Sequence, residues 1–385
     1  MAPDFVLSIL AIGIWTYLML FRGGFWREMP KPAPDYVPPV WPEVVAVIPA
    51  RNEADVIGES MAGLLAQDYP GKFTAILVDD NSSDGTGNVA ERIGGDRHRL
   101  KVVRNDALPQ GWTGKLWAVH RGLSEAEQLA PEAKYVLLTD ADILHEKSSL
   151  RHLVARAEQG HLKLVSLMAR LKTVTMAEKA LIPAYIFFFQ KLYPFSWVND
   201  PKHKVAGAAG GCMLVERAAL QEIGGIGAIR DRLIDDCALG KAMKAKGPVW
   251  LGLANDVVSL RGYPRWGDAW MLIARSAFTQ LGFRIAMLGL TMLSMTATYV
   301  LGPALFLFDP TPARIVAAAA TFMMLFAYQP TLQYYRLSPA WALALPAIAM
   351  FYTAATVDSA LRYWSGRGGA WKGRFQASGS TVSGS

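Results

Sequence analysis

Between Glu43 and about Asp256, short apolar runs of strand length alternate with stretches of helix length, and this alternation constrains the fold more than any other feature of the chain. Val44 to Ile48, Ala75 to Val78, Lys101 to Val103, Tyr135 to Leu138 and Leu162 to Leu167 suit buried strands. Ala54 to Gln67, Thr86 to Ile93, Lys115 to Gln128 and Ser148 to Gln159 suit the helices between them. Strands separated by helices imply parallel βαβ units, hence an α/β fold with a Rossmann-like, mostly parallel sheet and helices on both faces. In such sheets ligands bind beyond the carboxyl ends of the strands. The sharpest polar motifs of this chain all fall at such ends.

Pro49-Ala50-Arg51-Asn52-Glu53 follows the first strand, where backbone and side-chain groups suit a nucleotide base and ribose. After the second, Asp80 is placed to accept a hydrogen bond from a base N–H, while Ser83 or Asp84 suits the cap of the next helix. Gly111-Trp112-Thr113-Gly114-Lys115 opens a helix and presents Lys115 as a point charge for phosphate. Asp140-Ala141-Asp142 ends the run from Tyr135 to Thr139. Residues two apart in extended chain face the same way, so both carboxylates can meet one divalent ion. Mg²⁺ or Mn²⁺ suits such a pair, shared with the phosphates of a diphosphate substrate. The small residues of Gly207 to Val215 suggest close approach of backbone to a ligand. Asp235-Asp236 either complements a helix dipole or includes a general base whose pKa is raised by its neighbour.

The motifs at 48–53, 79–80, 111–115, 140–142 and 235–236 occur in the order and rough spacing of the family 2, GT-A-fold, inverting glycosyltransferases, which residues 43 to about 275 resemble. Within that family, the single amino-terminal anchor, Gly262-Tyr263-Pro264-Arg265-Trp266 and the stretch from Trp270 to Leu281 look most like its hopene-associated members from bacterial hopanoid clusters. The resemblance implies that Pro49, Ala50, Glu53 and Asp80 hold a nucleotide, usually UDP, with Lys115 at the departing diphosphate. It places Asp140 and Asp142 on the sugar diphosphate and its metal, Asp236 as catalytic base with Asp235 as the alternative, and Arg265 and Trp266 near the leaving diphosphate. Processive members carry Gln where Gly262 stands, so transfer of a single sugar is expected. The partners implied are a nucleotide-sugar donor and a lipid hydroxyl, hopanoid-like. Polyprenyl phosphate or another glycolipid acceptor is the alternative within the enzyme class; a non-catalytic nucleotide-binding membrane scaffold is the alternative outside it.

Hydrophobic residues make up 52% of the chain and charged ones 18%, against about 25% charged in soluble domains, so part of the protein belongs in lipid. Phe5 to Phe21 is a 17-residue uncharged run followed by Arg22, Arg27 and Lys31. It reads as a signal anchor, with a signal peptide as the alternative, and its basic flank puts the next part of the chain in the cytoplasm. Leu181 to Phe189, with Lys191, Tyr193 and Trp197 beyond, reads as an interfacial segment admitting a lipid in preference to a core helix. Ile285 to Phe308, Ile315 to Tyr328 and Ala340 to Val357 are apolar. If all three cross, the basic tail ends outside, against the positive-inside rule, and the short middle stretch is expected to be re-entrant. The formal charge of +7 lies beside these segments and suits anionic headgroups, with no nucleic acid partner expected. Cys212 and Cys237 form no disulfide framework. The expected organisation is an anchor (1–29), a Pro-rich linker (30–42), a cytosolic catalytic domain (43–265), an interfacial helix (266–284), transmembrane segments (285–360) and a basic tail (361–385), multi-pass in a bacterial inner membrane.

Overall fold

The computed structural model of the protein describes residues 3–94 and 99–367, with the backbone of 370–371 and 374–375. Much of the basic tail, including Lys372 and residues 376–385, lies outside the described residues. The chain divides into a sheet unit, residues 30–171, 198–261 and 369–385, and a helical unit, residues 1–29, 172–197 and 262–368.

The sheet unit carries an eight-stranded sheet in the order β3-β2-β1-β4-β7-β6-β8-β5. Its strands are β1 (Val44–Ala50), β2 (Phe73–Asp79), β3 (Leu100–Arg104), β4 (Tyr135–Thr139), β5 (Ile143–His145), β6 (Leu164–Arg170), β7 (Cys212–Glu216) and β8 (Val249–Ser259). β1 pairs in parallel with β2 and β4, β2 with β3, and β6 with β8. β7 runs antiparallel between β4 and β6, and β5 antiparallel to β8. The expected α/β sheet is therefore present, and three strands beyond the five expected, β5, β7 and β8, extend it. β5 is three residues long, and β8 is interrupted by Gly252 and Asn255-Asp256, so neither gives a clean strand signature.

Helices α2 (Ile57–Leu65), α3 (Thr86–Gly94), α4 (Gly114–Leu129) and α5 (Ser149–Gly160) lie close to the predicted stretches. They are followed by the short α7 (Phe195–Asn199) and α8 (Arg217–Glu222), and by α9 (Asp235–Lys244). The core on one face of the sheet is formed by β1, β2 and β4 residues such as Val44, Ile48, Leu77 and Leu137 with Met61, Leu64 and Leu153 of the helices. α4 sits on β1 through Gly122, where an added Cβ would stand 2.4 Å from Val47 Cγ1 and 3.1 Å from Val78 Cγ2.

The helical unit contains α1 (Pro3–Phe21), α6 (Met176–Leu192), α10 (Trp266–Ala274), α11 (Ala277–Gln280), α12 (Ile285–Tyr299), α13 (Leu301–Phe308), α14 (Ala313–Tyr334) and α15 (Leu345–Trp364). Trp15, Leu181, Phe187, Tyr299, Tyr328 and Tyr352 meet in its core. Two sequence expectations change here. The stretch expected to be interfacial, Leu181 to Phe189, is the middle of α6, and Leu181, Ile182, Pro183, Ala184, Ile186 and Phe187 are buried. Its aromatic side chains pack on Tyr328, Tyr299 and Tyr352, so it serves as a core helix. The segment expected to be short, 315–328, belongs to the 22-residue α14, which is long enough to cross a membrane, as are α1 and the helical stretch ending in α15. The broken element is α12 with α13, bent by 42°.

Gly122→Val forces α4 off β1, and overpacking of this kind costs ~1–3 kcal/mol. The melting temperature of the detergent-purified protein falls accordingly; an unchanged value would show that the contact yields freely.

Candidate active site

The carboxyl ends of β1, β2 and β4 reach one edge of the sheet, and the antiparallel β7 begins there, Cys212 opposite Thr139. Gly210 and Gly211, just before β7, therefore abut the end of β4. The Thr139 hydroxyl donates to the Gly211 carbonyl (2.9 Å), as does the Asp140 N–H (3.3 Å). The close approach expected of this glycine-containing stretch is an approach to protein groups. The Gly210 N–H donates to Asp236 Oδ2 at 3.0 Å, and a Cβ on Gly210 would lie 3.5 Å from Lys115 Nζ.

Lys115 stands in the first turn of α4, whose start is capped by the Thr113 hydroxyl accepting from the Leu116 N–H. Its ammonium is 2.9 Å from Asp140 Oδ1 and 3.3 Å from Asp235 Oδ2. Burial works against the charge of Lys115, but the carboxylates of Asp140, Asp235 and Asp236 outweigh it and hold the pKa above the ordinary lysine range. Burial raises the pKa of Asp140; Lys115 opposes this, Asp142 and Asp235 reinforce it, and the net shift is upward.

Asp235 and Asp236 open α9, and the structure gives them different partners. Asp235 is engaged by Lys115, whereas Asp236 accepts from the backbone N–H groups of Gly210 and Cys237 (2.7 Å). Burial and then the charge of Asp235 push the Asp236 pKa up to about 6, against the pull of Lys115 and the two N–H groups. A carboxyl so poised suits proton abstraction near neutral pH.

Asp142 and Glu53 are joined by a residue that the sequence reading misses. Arg261 Nε donates to Asp142 Oδ2 (2.9 Å), and Nη2 of the same guanidinium pairs with Glu53. The pairing of β5 with β8 brings it there: Ile143 faces Ser259, and the Leu260 N–H donates to the Asp142 carbonyl at 2.7 Å. Arg261 follows a strand without a clean pattern, so only a cation directly after Val257-Val258-Ser259-Leu260 signals it.

The loops after β1 and β2 brace each other. Ser83 N–H donates to Asn52 Oδ1, Glu53 N–H to the Thr86 hydroxyl, and Ala54 N–H to Asp84 Oδ2. Asp84 also accepts from the Thr86 N–H, the capping role read from the sequence. Asp80 is completely buried, with Oδ1 accepting from the Asn105 amide at 2.9 Å. Ala50 is buried too, its carbonyl accepting from the Asp80 N–H. Pro49 lines a small cleft together with Lys115, Asp140, Gly210 and Asp235. Arg265 and Trp266 fall in the helical unit, at the start of α10, where Arg265 pairs with Asp268 and Trp266 is half exposed. Gly262, also in that unit, lies where an added Cβ would be 2.9 Å from Glu178 Oε1, which accepts from the Tyr263 N–H.

Glu53, Asp140, Asp142, Asp235 and Asp236 thus share one sheet edge with the cations Lys115 and Arg261, leaving an excess of negative charge. Among the described residues no three acidic, imidazole or thiol groups form a closed cage. That combination fits a hard divalent ion that shares ligands with a bound diphosphate.

Residues 45–224 match the family model for Glycosyl transferase family 2. Over that stretch the chain is similar to the family 2 glycosyltransferases. It is 25% identical over 236 residues to the probable glycosyltransferase YdaM of Bacillus subtilis, covering 57% of this chain and 52% of the relative. It is 27% identical over 173 residues to the beta-monoglucosyldiacylglycerol synthase of Synechocystis, covering 38% and 35%. The chain thus spans at most about half the length of these curated relatives. Among solved structures, the mannosyltransferase PcManGT from Pyrobaculum calidifontis, in complex with GDP-Man and Mn²⁺, shares the fold at a TM-score of 0.55 and 21% identity, over 94% of this chain and 99% of that one.

Arg261→Met leaves Glu53 and Asp142 without their shared counter-ion, and an unpaired, half-buried charge costs about 1–3 kcal/mol. The variant melts lower than wild type in metal-free buffer, and Mn²⁺ raises its melting temperature by more than it raises that of wild type. An equal Mn²⁺ response in both proteins would mean that Arg261 does not compete for Asp142.

Proposed function

We propose that this chain is a membrane-embedded inverting glycosyltransferase that moves one sugar from a nucleotide-sugar donor to a lipid hydroxyl, with a hopanoid as the preferred acceptor. The observation that carries the reading is the convergence of Lys115, Asp140, Asp235 and Asp236 at the carboxyl edge of the sheet in a chain with three apolar helices of membrane-crossing length. In this reading Asp236 removes the proton of the acceptor hydroxyl. The freed oxygen attacks the anomeric carbon opposite the diphosphate, and the bond from that carbon to the diphosphate oxygen breaks with inversion. Lys115 neutralises charge on the departing diphosphate. Asp140 and Asp142 would hold Mg²⁺ or Mn²⁺, which when bound supplies further positive charge there. Glu53 and Pro49, with Asp80 and Ala50 beneath them, would form the nucleotide end. Arg265 and Trp266 are assigned to the leaving diphosphate by resemblance alone.

UDP is the nucleotide that the family resemblance favours, and the GDP-Man in the Pyrobaculum mannosyltransferase makes GDP the second donor to test. The name of the Synechocystis relative favours diacylglycerol as a second acceptor class, and polyprenyl phosphate is the third. The measurement is nucleoside diphosphate release by detergent-purified protein across UDP- and GDP-sugars, with each lipid in turn. Asp236→Asn lowers lipid-dependent release about 10²–10⁴-fold while donor binding persists. Because the raised pKa of Asp236 puts its proton on below about pH 6, turnover falls as pH drops through that value. Tight donor binding without release for any lipid would favour a scaffold.

The same reading gives a topology. With α1, α14 and α15 crossing and the bent pair α12–α13 inserted only partway, the flank of Arg362 and Arg367 returns to the side of residues 43–261, as the positive-inside rule asks. A green fluorescent protein fused after residue 385 in bacteria fluoresces, and an alkaline phosphatase fused there is inactive; the reverse pair would require a further crossing.

A further inference from the structure

Two cations of the helical unit have no carboxylate partner among the described residues. Arg22 directly follows α1, and Lys191 lies in the last turn of α6. Arg22 Nε donates to the Lys191 carbonyl (3.1 Å) and Nη2 to the Leu192 carbonyl (3.3 Å), so the charges are held on touching segments. The Lys191 ammonium stands 4.5 Å from the centre of the Tyr299 ring and 5.5 Å from that of Phe188, with Met295 Sδ at 3.9 Å. The Arg22 guanidinium lies over Trp197 at 4.9 Å. Tyr299 is completely buried, and its hydroxyl makes no hydrogen bond.

A half-buried ammonium that faces a second cation and only rings and a thioether is costly without a counter-ion. One anion with several acceptor oxygens would pair with both cations. We propose that Arg22 and Lys191 form a binding site for a phosphate anion. Burial and then the charge of Arg22 push the Lys191 pKa down to about 7, and an anion beside it would hold the ammonium charged. The setting favours a phospholipid headgroup as the source. The cations sit where the apolar α1 ends, beside Trp197, and membrane–water boundaries collect tryptophan and basic residues that meet anionic lipids. The site is built from residues of the helical unit alone and is independent of the transferase reading.

The full chain in detergent is titrated with dioleoyl phosphatidylglycerol, with dioleoyl phosphatidylcholine and with inorganic phosphate, bound ligand being counted by native mass spectrometry. Phosphatidylglycerol binds and phosphatidylcholine does not. Arg22→Gln and Lys191→Gln each weaken phosphatidylglycerol binding roughly fivefold, and Lys191→Arg retains it. Both glutamine variants still melt cooperatively, which separates loss of the site from loss of the fold. Inorganic phosphate binding with the same variant sensitivity, and no gain from acyl chains, supports the site with a soluble anion as its source. Equal phosphatidylglycerol affinity in wild type, Arg22→Gln and Lys191→Gln overturns it.

Discussion

The Lys115 ammonium permits carboxylates from the end of β4 and the start of α9 to share one sheet edge. Asp140 and Asp235 lie at 2.9 and 3.3 Å from it, and Asp236 is close enough for its charge to act on the same ammonium. Without that cation the acids would repel one another in a partly desolvated cleft. With it, Asp140 and Asp235 are engaged, and Asp236, held by two backbone N–H groups, keeps a pKa near working pH. A single contact thereby divides the labour between adjacent aspartates. Arg261 does the same for Glu53 and Asp142 at the other side of the cluster. The two cations stand at acids that the family resemblance gives to donor and metal.

This arrangement depends on packing that leaves no spare room. α4 can carry Lys115 to the sheet edge because Gly122 lets its axis approach Val47 and Val78. The segment before β7 is tied to Asp236 by the Gly210 N–H. In the helical unit, Gly262 plays the corresponding part against Glu178, whose carboxylate also accepts from the N–H groups of Val174 and Thr175 at the start of α6. The glycine that departs from the processive pattern thus has a packing reason of its own.

The helical unit follows a different physical logic. Exposed apolar side chains such as Ile285, Leu293, Ile315 and Phe322 would be costly in water and would suit lipid. Small residues and aromatics face inward, with Ala317, Ala320 and Ala327 of α14 buried beside Tyr328. Ionic pairs such as Arg362 with Asp358, which also accepts from the Trp270 indole, gather near a helix end.

Much of this was legible in the residues themselves. Strand-length and helix-length runs announced an α/β sheet because burial on two faces demands continuous apolar strands. The acids at strand ends announced a site because that is where a parallel sheet opens. Strand β8 was not legible, since Gly252 and Asn255-Asp256 interrupt it, and with it went Arg261. Nor was the fate of α6, because an aromatic run of that length has the same composition in a core and at a membrane surface; only its neighbours, Tyr299, Tyr328 and Tyr352, distinguish the two. The bend between α12 and α13 was equally hidden, hydropathy being blind to direction. The sequence by itself determined the kind of sheet, the edge where the acids gather and the apolar helices, because these follow from local periodicity and charge. Tertiary structure alone decided which aspartate is paired and which is poised, and which arginine joins Glu53 to Asp142, because those depend on distances between residues far apart in the chain.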